Sequence, residues 1–235
     1  MATEQPNPEV VEILGRFDTP TVCNALEIVA PERRAMGFTT RPLVPADPAL
    51  PPMVGFARTA TIRAVVPSPL PPDAQRKRRA DYYEYLAEGP GPTIAVIQDL
   101  DPEPGFGAFW GEVNSNIHKG LGCLGAVTNG SYRDVDALAS GFQILGGEVG
   151  PSHAHVHLVD HGGQVNVFGM SVCHGDLIHA DRHGAVVIPA GAVNGLPAAI
   201  DLMVRREKVI LDACKEPDFD IEMLKKAMAD SAEIH

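Results

Sequence analysis

The chain has 235 residues, 45% of them hydrophobic and 21% charged, with a net charge of −11 at pH 7. That length suffices for a sizeable core, while the acidic balance argues against generic nucleic-acid binding, which needs cationic surface. No apolar run approaches the ~20 residues of a membrane span, and the polar, acidic segment from Met1 to Glu12 lacks a signal-peptide pattern.

Residues 1–8 hold two prolines and few apolar groups and are expected to be flexible. Val10 to Arg16 reads as a short amphipathic helix. Asp18-Thr19-Pro20 is a helix-start signal, with Thr21 to Val29 following. Pro31 to Pro52 is proline-rich and loosely periodic. Gly55 to Val66 is a strand rich in β-branched residues. After a proline-rich loop, Pro67 to Pro72, the pattern predicts a helix from Asp73 to Ala87, capped by Asp73 and carrying the basic run Arg76-Lys77-Arg78-Arg79. Thr93 to Gln98 is a buried strand that ends at Asp99. A helix follows over Val113 to Lys119, then a glycine-spaced apolar strand, Leu124 to Thr128. Asp134 to Ser140 reads as a short helix, and Gln143 to Leu145 as a strand stopped by Gly146-Gly147. His153 to Val159 alternates strictly, which puts His153, His155 and His157 on one strand face and Ala154, Val156 and Leu158 on the other. Gln164 to Val172 and Ala185 to Ile188 are further strands. Gly191 to Cys214 and Phe219 to Ala232 are helical. The mixture predicts one α/β domain over residues 1–235, with 215–235 as a C-terminal helical extension.

The stretch from Trp110 to Asp134 carries the chemistry. Glu112 stands at a helix start, and Arg133-Asp134 follows the turn dipeptide Asn129-Gly130 beyond the next strand. A helix–strand unit of this length brings its two ends together, so an acid, a guanidinium and a second acid meet at loop ends. Such a set suits a metal and a carboxylate. An acid at a helix start is also favoured by the dipole alone, and an Asp beside an Arg also serves as an ordinary ion pair, so the residues leave both readings open. The basic run on the preceding helix is either a solvated face or a lure for anionic substrates. Four scattered cysteines, Cys23, Cys123, Cys173 and Cys214, lack C-x-x-C spacing, which fits reduced thiols of a cytoplasmic protein.

Glu112, twenty residues, then Arg133-Asp134 resembles the acid–x20–Arg–Asp signature of the 4-hydroxy-4-methyl-2-oxoglutarate aldolases. That family also contains the regulator of ribonuclease E activity A. Thr19 to Leu26, Gly55 to Ala60, and Gly175-Asp176-Leu177 with Ala180-Asp181 and Gly184 to Pro189 resemble its flanking segments in the right order. The resemblance covers roughly residues 15 to 210. It implies a β/β/α sandwich of mixed parallel and antiparallel strands, assembled as a homotrimer or hexamer. It implies a lyase that cleaves a pyruvyl (α-keto acid) substrate through a pyruvate enolate, by retro-aldol cleavage or oxaloacetate-type decarboxylation. Asp134 would be the direct ligand of Mg²⁺ or Mn²⁺, Arg133 would hold the enolate oxygen, and Glu112 would hold a metal-bound water. Gly111 and the backbone N–H groups of Val113 and Asn114 would receive the substrate carboxylate. Glu207 is the candidate acid supplied by a neighbouring subunit. The alternatives are a ribonuclease-regulating binding protein, and an isomerase or hydrolase on the same fold.

Two departures stand out. The family often has Asp where this chain has Glu112. After Gly147, where the family carries an arginine-containing segment, Glu148 to His155 has histidines and no arginine. His153 and His155 are therefore candidates for the distal end of the substrate. The same histidine face offers a transition-metal site or a plain polar surface.

Overall fold

The computed structural model describes residues 7–235, and the expected flexibility of 1–6 lies outside that range. Asn7 already caps the first helix, accepting from the Glu9 N–H at 3.0 Å, and Pro8 begins it. The helices are α1 (Pro8–Leu14), α2 (Thr19–Val29), α3 (Pro72–Ala87), α4 (Glu112–Gly120), α5 (Leu196–Ala213) and α6 (Ile221–Ala232). The strands are β1 (Val44–Pro45), β2 (Met53–Arg63), β3 (Thr93–Asp99), β4 (Cys123–Thr128), β5 (Ser131–Tyr132), β6 (Gln143–Gly146), β7 (Glu148–Val149), β8 (His157–His161), β9 (Val165–Val167), β10 (Met170–Val172), β11 (Leu177–Asp181) and β12 (Gly184–Ile188).

The main sheet runs β1-β6-β4-β3-β2-β11-β12, with β8 also paired to β2. Its centre is parallel: β2 with β3, β3 with β4, and β4 with β6. The flanks are antiparallel, and β2 serves both. Its first residues pair with β11, from Met53↔Ala180 to Phe56↔Leu177, and its last with β8, from Ala60↔His161 to Arg63↔His157. This is the mixed, curled sheet with helices that a β/β/α sandwich requires.

The alternation along β2 divides the core. Met53 and Ala57 enter one cluster with Ile94, Val96, Val127 and the β9–β10 hairpin. Ala60 and Ile62 enter another with Tyr82 and Leu86 of α3, Trp110 and Ile144. A third cluster joins α1, α2 and α5 over Val54, Leu177 and Val186. A side chain at Gly125 would run into the Gln143 carbonyl and the Met53 sulfur, so β4 packs there only as glycine.

Several expectations change. Asp73 does not cap α3; Pro71 occupies the cap position without a side-chain hydrogen bond, and Asp73 pairs with Arg76. The helix expected from Asp134 to Ser140 shrinks to one 3₁₀ turn, Val135–Ala137, because Asp134 is left-handed on one side and Leu138 is extended on the other. Gln164 to Val172 is a hairpin, not one strand. Phe168 and Gly169, at φ 47° and 92°, form the two-residue turn, and positive φ at both positions is what the right-handed twist of hairpin strands prefers. Leu177–Asp181, which the sequence pattern does not mark as a strand, is a strand of the main sheet.

His118 lies buried within α4. Its Nδ1–H donates to the Asn114 carbonyl at 2.7 Å, so Nε2 accepts from the buried Tyr82 hydroxyl at 2.9 Å. Burial pushes the imidazole down to about 4. In the unfolded chain the same group titrates near ~6.5, so the unfolded state binds more protons between those values. Stability is therefore fully present above ~6.5 and is lost as pH falls toward the folded value, by roughly 3 kcal/mol for this group. Denaturant unfolding from pH 7 to 4 is expected to show that loss in the wild type and a flatter profile in His118→Gln. Parallel profiles would remove His118 as a source.

Candidate active site

The cleft lies beyond the C-terminal ends of β3, β4 and β6, where parallel strands with crossover connections bind ligands. Asn129, at the end of β4, accepts the Asp99 N–H at 2.7 Å and donates to the Asp99 carbonyl at 3.0 Å. Asp99 in turn receives the N–H groups of Asp101 and Gly105 at 3.0 and 2.8 Å, which shapes the loop leading to α4. Trp110 bridges to Tyr132, and the Arg133 N–H donates to the Trp110 carbonyl at 3.0 Å. Gly111 and Arg133 are thereby brought side by side, as the helix–strand argument expects.

Asp134 adopts φ 56°, ψ 42°. Left-handed backbone is costly for residues with a Cβ, least so for Asp and Asn, and recurs at functional sites. In this conformation its Oδ2 accepts the Glu112 N–H at 3.3 Å and lies 3.4 Å from Arg133 Nε. That Nε is buried without a hydrogen-bond partner, so the approach is a charge contact. A Cβ on residue 111 would sit 2.6 Å from Oδ2, so Gly111 makes room for the carboxylate. Gly111 has no side chain with which to cap α4, and of the first-turn donors the Glu112 N–H goes to Asp134. The N–H groups of Val113 and Asn114 belong to the first turn and have no intrahelical acceptor. The side chains of Arg133 and Asp134 are 28% and 37% exposed, open enough for a ligand and buried enough to be held.

These residues line a cleft of about 390 Å³ together with Arg79 and Tyr83 of α3 and with His153 and His157. Tyr83 was not singled out from the sequence. Its hydroxyl donates to Asn114 Oδ1 at 3.2 Å, and Asn114 Nδ2 donates to the Phe109 carbonyl at 2.5 Å. The i, i+4 spacing of Arg79 and Tyr83 on α3 was the available signal. A larger cleft, about 600 Å³, opens around Arg58 and His174, away from this chemistry. Arg58 is buried there with its guanidinium on the carbonyls of Glu88 and Pro90, where it caps the C-terminal end of α3.

The histidine strand is corrected. Strand β8 begins only at His157, and Ala154 sits at φ 46° in a turn. The alternation fails because His157 and Leu158 are both buried at the strand's entry. His153 and His157 reach the cleft, whereas His155 is exposed and does not line it. Among the described residues no group of three or more His, Cys, Asp or Glu side chains assembles as a metal cluster, and the three histidines do not share a face. Glu207 is exposed on α5 and does not line the cleft of its own chain. Asp181 is structural: it accepts the N–H groups of Thr19 at 3.0 Å and His183 at 2.8 Å. Asp176 closes a turn on the Cys173 N–H at 2.8 Å.

A family model described as RraA-like (Aldolase/RraA) matches residues 19–187. The chain belongs to the RraA-like family. Among solved structures it is similar to an uncharacterized protein from Pseudomonas syringae pv. tomato str. DC3000, at 18% identity and a TM-score of 0.73 over 98% of this chain and 97% of that one. It is also similar to RraAS2 of Streptomyces coelicolor, described as an unusual member of the RNase ES inhibitor RraA protein family. That match has 22% identity and a TM-score of 0.65, over 91% and 99% of the two chains. A structure described as novel cellulases from gut-associated microbes matches at 16% identity and a TM-score of 0.71, over 88% and 90%. At these identities the likeness establishes an RraA-like fold and not a shared activity. A comparison with curated proteins finds no match.

The geometry around residue 111 is directly testable. Gly111→Ala meets only the end of a side chain, so its stability cost is expected to stay within about 1 kcal/mol. It should nonetheless swing the Asp134 carboxylate off the Glu112 N–H. A crystal structure of the variant with that contact intact would refute the packing argument.

Proposed function

We propose that this RraA-like chain is a divalent-metal-dependent lyase that cleaves a C–C bond of a pyruvyl substrate, by retro-aldol cleavage, by oxaloacetate-type decarboxylation, or by both. The observation that carries this reading is the meeting of Asp134, Arg133 and the start of α4 in one cleft. The cation implied is Mg²⁺ or Mn²⁺, and the donor set fits a hard ion. Asp134 Oδ1 and the Glu112 carboxylate have no hydrogen-bond or ion-pair partner among the described residues, and both residues line the cleft. One direct carboxylate with several waters is a common way to hold Mg²⁺. Such an ion supplies Lewis-acid polarisation of the keto oxygen.

The chain's own residues do the rest in this mechanism. The N–H groups of Val113 and Asn114, at the positive end of the helix dipole, receive the substrate carboxylate. Arg133 donates to the keto oxygen. As the C3–C4 bond breaks, its electron pair moves into the enolate, and the fixed guanidinium stabilises the charge that develops on oxygen. In decarboxylation C4 departs as CO₂. In retro-aldol cleavage the C4 hydroxyl gives up its proton to a base and C4 departs as a carbonyl. Glu112, which lines the cleft, orients the water that returns a proton to C3 and yields pyruvate. We further propose a homotrimer or hexamer, since Glu207 could serve a cleft only from a neighbouring copy.

Release of pyruvate from oxaloacetate, abolished by EDTA and restored by Mg²⁺ or Mn²⁺, is the expected result. No release with either ion would favour a binding role instead. Asp134→Asn keeps a residue that tolerates left-handed backbone, so it should fold normally and fall to near background. Arg133→Lys keeps the charge and loses the fork, with an expected loss in kcat on the order of 10²-fold. An unchanged kcat in either variant would contradict the assignment. Light scattering that finds only particles of one chain's mass would remove the oligomer and Glu207 with it.

A further inference from the structure

The basic run on α3 is unequal. Arg76 pairs with Asp73, Lys77 with Asp81 at 2.7 Å, and Arg78 donates to the Val159 carbonyl. Arg79 alone of the four has no hydrogen bond or ion pair among the described residues, and it alone lines the cleft. Helix geometry explains the difference. Partners come from three or four residues away, and for Arg79 those positions hold Gln75, Arg76, Tyr82 and Tyr83, with no acid. Tyr83 lines the same cleft: burial raises its pKa, and the charge of Arg79 works against that rise. Because Tyr83 also reaches Asn114, the α3 wall is tied to the start of α4.

The histidines of the cleft are already engaged on one nitrogen. His157 Nδ1 lies 2.8 Å from the His155 carbonyl, and His153 Nδ1 lies 3.3 Å from the Ala108 carbonyl. A carbonyl only accepts, so each Nδ1 carries the hydrogen, and only Nε2 is left to meet a ligand. Arg79 and Arg133 cancel Glu112 and Asp134 within the cleft, so a bound divalent cation would leave two positive charges for a dianion to neutralise.

We infer that Arg79 anchors a second anionic group at the far end of the substrate, so that the cleft selects doubly over singly charged α-keto acids. This rests on the lyase reading and adds its specificity. The cation comes from α3, one turn before Tyr83.

Calorimetric titration of the Mg²⁺-loaded protein with 2-oxoglutarate and with 2-oxopentanoate, equal in length and differing in the distal carboxylate, tests it without turnover. The wild type is expected to favour 2-oxoglutarate by about tenfold, the scale of one exposed charge-assisted contact. Arg79→Gln should erase that preference while leaving 2-oxopentanoate affinity within about twofold. Arg79→Lys should keep part of it, and Arg76→Gln, whose arginine already has a partner, should keep all of it. A preference that survives Arg79→Gln, or one lost equally in Arg76→Gln, overturns the inference and leaves the lyase reading standing. Failure of the wild type to bind either acid overturns both.

Discussion

Everything in the candidate site depends on one carboxylate being held where it is. Asp134 faces the start of α4 only because its backbone turns left-handed and because residue 111 has no side chain. Remove either condition and the chain still has an acid, an arginine and a helix, but no shared space among them. The strain is paid locally by a residue type that tolerates it, and the surrounding β5–β7 pair and the Trp110–Tyr132 bridge hold the turn in place.

Much of this was legible in the sequence because the signals were local. Asp18 caps α2 through the Thr21 N–H at 2.9 Å, as its spacing before Thr19-Pro20 announces. The β-branched run became β2, and the glycine-spaced run became β4. The pairing of Glu112 with Arg133-Asp134 followed from counting a helix and a strand between them. What failed did so where tertiary contacts override pattern. His153 to Val159 alternates, yet a turn at Ala154 breaks it before any strand begins. Phe168-Gly169 lacks the usual turn dipeptides, and a bulky residue at positive φ cannot be foreseen from propensity. Leu177–Asp181 shows no alternation that marks it as a strand, because it is enclosed by partners on both edges, β2 and β12.

Arg79 is legible only as part of a run, whose four cations and helix both stand out in the sequence. What the sequence does not display is which of four adjacent cations lacks a neighbour to neutralise it, because that depends on both helix spacing and on where α3 lies against the strand ends. The same holds for the histidines. Their ring nitrogens acquire a chemical sense only once the carbonyls of Ala108 and His155 decide which of them bears hydrogen.

The double pairing of β2 has a consequence for how the chain acquires its structure. Both flanking partners lie far downstream, at His157–His161 and Leu177–Asp181. On the ribosome β2 can zip to β3 and then lend its frame to β4 and β6, but one edge stays bare until nearly the whole sheet has been synthesised. An exposed, hydrophobic strand edge is a template for misplaced pairing. The nascent chain therefore carries its greatest aggregation hazard midway through synthesis, and slow translation between β6 and β8 would lengthen it.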